Sequence, residues 1–302
     1  MRSYLIGIII FIQFMFISIF LLQQENRVLI KSFLLRYDAV LINGAIRRLY
    51  HNQKVPNVKV VVQAHDAADY YWLGKDSFLV IAHGLGPKLY GGDNTIETLE
   101  KGRDRGFRIF EVDVSLTADD VLVCYHGNSE QEINTMRYAD YINKCKRQNQ
   151  IPCLFSDIVN YAKLNSNVYF VLDVKNRLFD SYALIRKAVS ISNVGKSFIP
   201  QVYDFDQLSF IRKDNLFAGE IFTSYRSFLS NKQIFDYAAR YGIKVITLTI
   251  PRILEQNGKL PHDLAILTHP VNDPFIAAQV KKLGVRGIYT SYITKDTVPE
   301  LF

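Results

Sequence analysis

The sequence predicts an α/β fold: a (β/α)8 TIM barrel preceded by one apolar transmembrane helix. Three observations predict it. Between residues 78 and 290, eight short β-rich apolar runs alternate with segments of helical periodicity. Repeated strand–helix units build a parallel sheet, and eight of them suffice to close a barrel. Polar residues recur at the C-terminal ends of these runs, the end where barrels of this kind carry their active sites. At the amino terminus, Tyr4 to Leu22 runs without a charge.

That apolar run is about as long as a bilayer-spanning helix must be. Arg2 precedes it, and Gln23, Gln24 and Glu25 follow without a small-x-small cleavage site. It therefore reads as a retained single-pass anchor over residues 1–23 rather than a removed signal. Arg2 and the amino terminus favour a cytoplasmic start, although Arg27, Lys31 and Arg36 flank the far side. On balance the rest of the chain is expected outside the cytoplasm.

Residues 24–77 read as a linker. Val28 to Leu49 has apolar residues at helical spacing with Lys31, Arg36, Arg47 and Arg48 between them. Such a segment packs on a barrel's exterior or lies on a membrane surface. Pro56 ends it, and Val58 to Val62 reads as a short strand. Trp72 and Tyr90 are aromatic residues that could touch lipid.

The barrel is assigned to 78–302. Its strands are expected at Phe78–His83, Arg108–Asp113, Val168–Val174, Phe198–Gln201, Gly219–Thr223, Lys244–Thr249, Leu264–His269 and Gly287–Thr290. Helices are expected at Thr95–Arg105, Ser156–Leu164, Ser181–Ser192, Asp206–Lys213, Asn231–Tyr241 and Pro274–Leu283. Val121–Tyr125 reads as an extra strand, hairpinned onto the second through Ala118-Asp119-Asp120.

The 302 residues are 49% hydrophobic, ample for one large core, with a formal net charge of +7. Lys and Arg are dispersed rather than clustered, which argues against nucleic acid and for an anionic membrane surface. No protein partner is evident. Cys124, Cys145 and Cys153 are an odd, sparse set that makes no disulfide framework; they read as free thiols, with a Cys145–Cys153 bridge left open.

The chemistry concentrates between Phe78 and His126. One apolar run ends in His83, a Gly-rich loop follows, and Asn94-Thr95 opens a helical pattern. The next run carries Glu111 and Asp113, and a third ends in His126. In a strand, residues i and i+2 share a face, so Glu111 and Asp113 stand side by side. Two carboxylates there repel and stay ionised only with a cation, for which a hard divalent ion, Mg2+ or Ca2+, is suited. Two histidines nearby could divide acid and base work.

The residues His83, Asn94-Thr95, Glu111/Asp113 and His126, in this order and spacing, resemble the glycerophosphodiester phosphodiesterase family. Ile151-Pro152-Cys153-Leu154, Val168–Lys175, Phe198–Tyr203 and Gly284–Thr290 resemble further stretches of it, so the likeness spans about 78–295. The resemblance implies a phosphoric diester hydrolase acting on a phosphodiester or phospholipid-derived substrate. It implies Glu111, Asp113 and Asp173 as ligands of one divalent metal ion and His83 and His126 as the acid–base pair. Asn94, Lys175, Gln201, Arg226 and His269 are the expected substrate contacts.

The chain also departs from the family. Gly84 replaces the Arg that usually follows the first His, Asp173 stands where Glu is usual, and Ser291 replaces Asp after Thr290. Tyr125-His126-Gly127 and Asp173-Val174-Lys175 resemble instead the venom-type phospholipase D (sphingomyelinase D) branch, which forms a cyclic phosphate from lysophospholipid or sphingomyelin. The lost Arg motivates a third reading, a non-catalytic module that binds phosphate headgroups.

Overall fold

The structure, a computed structural model, describes residues 67–74, 78–88, 91, 93–227, 229–298 and 301. The expected anchor, the amphipathic segment over 28–49 and Tyr90 lie outside these residues. Among the described residues no helix is long and apolar enough to cross a membrane.

Eight parallel strands close a barrel. They are β1 (Leu79–Ala82), β2 (Ile109–Leu116), β4 (Tyr169–Val174), β5 (Phe198–Val202), β6 (Ile221–Thr223), β7 (Val245–Leu248), β8 (Ala265–Thr268) and β9 (Gly287–Thr290). Closure comes from β1, which pairs with β9 on one side and β2 on the other. The expected extra strand is β3 (Leu122–Cys124), antiparallel to β2. Asp120 makes its turn in a left-handed conformation, φ 62°, which Asp tolerates.

The helices are α1 (Ile96–Asp104), α2 (Glu130–Thr135), α3 (Tyr138–Arg147), α4 (Phe155–Leu164), α5 (Leu178–Ile191), α6 (Asp206–Ile211), α7 (Asn231–Tyr241), α8 (Ile250–Leu254) and α9 (Pro274–Lys282). Their starts follow capping chemistry. The Thr95 hydroxyl accepts from the Thr98 amide at α1, Ser230 and Gln233 cap each other's backbone at α7, and Asp273 accepts from Phe275 and Ile276 at α9. Helices α2 and α3, inserted after β3, were not expected from the sequence; their polar faces obscure the periodicity.

Strand alternation separates two cores. Phe110, Val112, Phe170 and Leu172 point outward into the layer beneath the helices. Ile81, Ile109, Val171, Ile199 and Leu267 point into the barrel. Two residues further along the same inward faces stand His83, Glu111, Asp173, Gln201 and His269. The barrel interior is thus apolar at the N-terminal floor and polar at the C-terminal mouth, which is where a charged site must lie.

The floor is plugged by a segment expected to be linker. A 3-10 helix, Ala67–Leu73, sends Tyr70 and Trp72 into the inner core. The Trp72 indole donates to the Ala218 carbonyl at 2.8 Å, so Trp72 is buried and does not face lipid. The Tyr70 hydroxyl donates to Glu220, 2.9 Å away, a buried carboxylate that also pairs with Arg212. A buried carboxylate needs such partners. Cys124, Cys145 and Cys153 are all buried free thiols, which closes the question of a Cys145–Cys153 bridge.

Candidate active site

Register brings the carboxylates together. Strands β2 and β4 pair in parallel with Asp113 directly opposite Asp173, and Glu111 lies two residues back on the same inward face. One oxygen from each of Glu111, Asp113 and Asp173 lies within 4.8 Å of the others, and all three residues are buried.

The surroundings divide these carboxylates. The Gly84 amide donates to Glu111 Oε2 at 2.7 Å. Burial, and then the Asp113 charge, push the Glu111 carboxyl well above its usual range. Burial acts upward on Asp113 too, but the Lys175 ammonium and hydrogen bonds from Lys175 and Asn94 outweigh it and hold Asp113 below the usual range. The Lys175 Nζ lies 2.6 Å from Asp113 Oδ1 and 2.6 Å from Asp173 Oδ2. Desolvation alone would lower its pKa, yet the three carboxylates raise it, so it is an ammonium at neutral pH.

Asn94, expected at the substrate, is bonded to Asp113. Its amide donates to Asp113 Oδ2 at 2.8 Å and its carbonyl oxygen accepts from the Asp113 amide at 3.0 Å. A left-handed backbone, φ 57°, aims it there, a conformation Asn adopts more readily than most residues. Gln201 is likewise engaged internally. It donates to the Tyr203 hydroxyl at 3.2 Å and accepts from the Tyr289 hydroxyl at 3.0 Å.

Tyr203 was not anticipated. Its hydroxyl donates to Asp173 Oδ1 at 2.7 Å and lies 2.9 Å from the Tyr225 hydroxyl. Asp173 is one methylene shorter than the usual Glu, and Tyr203 fixes the oxygen that faces away from Lys175. The available signal was its position, two residues after Gln201 at the end of β5.

The two histidines differ. His83 is half-buried, its Nε2 3.9 Å from Glu111 Oε2 and its Nδ1 3.3 Å from the Ser291 hydroxyl. Ser291, noted as a departure from the family, is therefore a hydrogen-bond partner of this ring. Burial lowers the His83 pKa, which keeps the imidazole neutral at pH 7. His126 is exposed, and its Nδ1 contacts the Gly127 carbonyl at 2.6 Å. That contact makes Nδ1 the donor and leaves Nε2 for chemistry. His83, Asp113 and His126 line one cleft of about 450 Å3.

His269 packs 4.9 Å from His83, ring centre to ring centre, and burial followed by the His83 charge lowers its pKa to about 4. Arg226 is exposed, with its guanidinium 4.5 Å above the Tyr203 ring and 5.6 Å from that of Tyr225. The structure thus brings His83, Glu111, Asp113, Asp173, Lys175 and His126 to one mouth, with His269 and Arg226 beside it. His262 is exposed, as its sequence context suggested.

The donor set fits a hard divalent cation. Three carboxylate oxygens converge, and Asp113 Oδ1 is held by the Lys175 ammonium.

The closed eight-stranded barrel carries an acidic triad and two histidines at its C-terminal mouth, the end where barrels of this kind place their active sites. Residues 74–139 match the sequence profile of the Glycerophosphoryl diester phosphodiesterase family. This span holds His83, Asn94, Glu111, Asp113 and His126. Solved structures agree in fold. A glycerophosphodiester phosphodiesterase from Parabacteroides distasonis superposes with a TM-score of 0.62 at 22% identity, covering 76% of this chain and 98% of that one. A Thermotoga maritima glycerophosphodiester phosphodiesterase gives 0.54 at 13%, covering 72% and 96%. An Oleispira antarctica phosphodiesterase, in complex with the product sn-glycerol-3-phosphate, gives 0.56 at 14%, covering 71% and 93%. No curated protein matches the chain. The chain thus resembles the Glycerophosphoryl diester phosphodiesterase family over residues 74–139 and shares the barrel fold of these structures.

Proposed function

We propose that this protein is a metal-dependent hydrolase of glycerophosphodiesters that works by histidine acid–base catalysis. The observation that carries the reading is the meeting of Glu111, Asp113 and Asp173 beside His83, with Asp113, His83 and His126 lining one cleft. Glu111, Asp113 and Asp173 would hold one Mg2+ or Ca2+. Bound there, the ion supplies Lewis-acid stabilisation of charge developing on the phosphoryl oxygens.

The chain's own residues do the rest. His83, neutral through burial, takes a proton from the attacking water at its free ring nitrogen. His126 Nε2, protonated, gives a proton to the leaving alkoxide. Lys175, an ammonium beside Asp113 and Asp173, would offer a charge-assisted hydrogen bond to a phosphoryl oxygen, and Arg226 would do the same at the rim. Asn94 and Tyr203 keep Asp113 and Asp173 aimed at the ion.

Gly84 bears on how phosphate is held. Its backbone is left-handed, φ +61°, and a Cβ there would meet the Asp93 side chain at 3.4 Å. An Arg at this position would cost about 1–2 kcal/mol in backbone strain, so Lys175 and Arg226 are the cations this chain offers instead. Membrane attachment through residues 1–23, with the barrel outside the cytoplasm, completes the proposal and rests on the apolar run Tyr4 to Leu22.

The test uses the full chain, because cutting at residue 77 would remove the plug that closes the barrel floor. Incubation with glycerophosphodiesters, lysophospholipid and sphingomyelin, with Mg2+ or Ca2+ and with chelator, reads alcohol release. Metal-dependent release of glycerol phosphate supports the proposal. A cyclic phosphate product would favour the phospholipase D-like reaction, and binding without turnover a headgroup-binding module.

A further inference from the structure

Gly84 leaves a space beside His83, and the chain fills it with an ion pair. A Cβ at Gly84 would meet Asp93 first, its Cβ at 3.4 Å and its Oδ1 at 3.5 Å. The Asn94 amide donates to the Gly84 carbonyl at 2.7 Å, which brings Asp93 next to the residue that follows His83. Asp93 Oδ2 lies 3.0 Å from the Lys88 ammonium. The backbone of Lys88 is fixed as well, because its amide donates to the Ser291 carbonyl at 2.8 Å. Ser291 is the residue whose hydroxyl contacts His83 Nδ1. Lys88 therefore stands at the His83 end of the site, and it lines the cleft with His83, Asp113 and His126.

The neighbouring cations are held more firmly. Lys175 sits between Asp113 and Asp173, and Arg226 lies over the Tyr203 ring. Lys144 also lines the cleft, but its ammonium donates both to Glu132, at 2.6 Å, and to the Tyr125 hydroxyl. The Lys88–Asp93 pair is open to water, with side chains 43% and 42% exposed. A surface pair of this kind is worth only about 0–1 kcal/mol. An ammonium has three donors, and the Asp93 oxygen takes one of them. Lys88 can thus turn donors to an anion at little cost.

Charge balance supplies the need for such a donor. With a divalent cation among them, the ionised Glu111, Asp113 and Asp173 are matched by the ion and the Lys175 ammonium together. That leaves the site neutral, and the single negative charge of a phosphodiester calls for one cation more at the cleft.

Resting on the hydrolase reading above, we infer that Lys88 is a phosphate contact of this site and supplies the positive charge that Gly84 does not. It joins Lys175 and Arg226 and acts from the His83 side.

The experiment measures kcat and KM of the full chain on glycerophosphoglycerol, a diester whose only charge is its phosphate. A calorimetric titration with sn-glycerol 3-phosphate reads anion binding apart from turnover. Lys88→Met should raise KM and weaken glycerol phosphate binding about tenfold each, the size of one lost charge-assisted hydrogen bond. The loss is one of binding, so kcat should stay within about threefold. Lys88→Arg keeps the charge and should stay within about threefold of the parent in all constants. Lys144→Met removes a charge from the same cleft whose donors are already taken, and should shift KM and binding by less than about threefold. Unchanged constants in Lys88→Met, or an equal loss in Lys144→Met, overturn the assignment and leave the hydrolase reading standing. If the parent hydrolyses no diester, that reading falls, and the glycerol phosphate titration alone decides for or against Lys88.

Discussion

Replacing Lys175 by Met tests the electrostatic argument at its centre. The Lys175 ammonium lies 2.6 Å from both Asp113 and Asp173, inside a group of three buried carboxylates. Met keeps the length and apolar stem of the side chain and removes the charge. Breaking a buried ion pair by deleting one partner costs about 3–5 kcal/mol, because the other charge stays desolvated. For a barrel of this size that lowers Tm by on the order of 10 °C. Glu111 softens the loss slightly, since its raised pKa lets it take up a proton.

The variant should then respond more strongly to divalent cations than the parent. A cation bound by the triad supplies the missing charge, and at a hundredfold excess over Kd it adds about 2.7 kcal/mol. In the parent the cation must first displace an ammonium, so its net gain is smaller. The assay is thermal unfolding of parent and variant in chelator and across a Mg2+ and Ca2+ series. An unchanged Tm in chelator would refute the reasoning, and so would equal metal-induced shifts in the two proteins.

Other outcomes follow from the same geometry. His83→Ala and His126→Ala should each lower diester hydrolysis by about 10²–10⁴-fold with far-UV circular dichroism unchanged; full activity in both would end their assignment as acid and base. Arg226→Ala should weaken binding of an accepted diester about tenfold, read as a rise in KM; unchanged KM and kcat would leave Lys175 and the metal to hold the phosphate. Trp72→Ala empties the barrel floor and should cost about 3–5 kcal/mol of stability, measured by urea unfolding, since Trp72 is a plug and not a lipid contact. The pH dependence comes from His269, whose folded pKa is about 4 against about 6.5 unfolded. The unfolded chain binds the extra proton between these values, so the stabilisation is whole above about pH 6.5 and is lost as pH falls towards 4. Between pH 7 and 5 the loss is about 2 kcal/mol, with His83 acting in the same direction, and His269→Gln should flatten that part of the stability profile.

Much of this protein was legible along the chain. Alternation of apolar runs with helical patterns marked all eight barrel strands and the β3 hairpin, because strand burial imposes period two wherever one face is wet and continuous runs where both are covered. Glu111 and Asp113 could be paired on paper, since i and i+2 on one strand must share a face. The polar residue two places beyond each inward apolar one, as in Ile81 to His83 or Val171 to Asp173, placed the chemistry at the strand ends.

What the sequence could not supply is everything that depends on register between distant segments. That Asp173 stands opposite Asp113 is a property of how β2 and β4 align, not of either strand alone. That Lys175 bridges two carboxylates could not be read from its position two residues after Asp173, because its reach crosses to the neighbouring strand. Asn94 and Gln201 look like free amides in one dimension, yet tertiary packing gives each a buried partner. Residues 67–73 read as linker because a plug needs no periodicity of its own; it needs only aromatic side chains that match an open barrel floor. Local sequence determines which face a side chain occupies, while only closure of the barrel decides which other faces it meets.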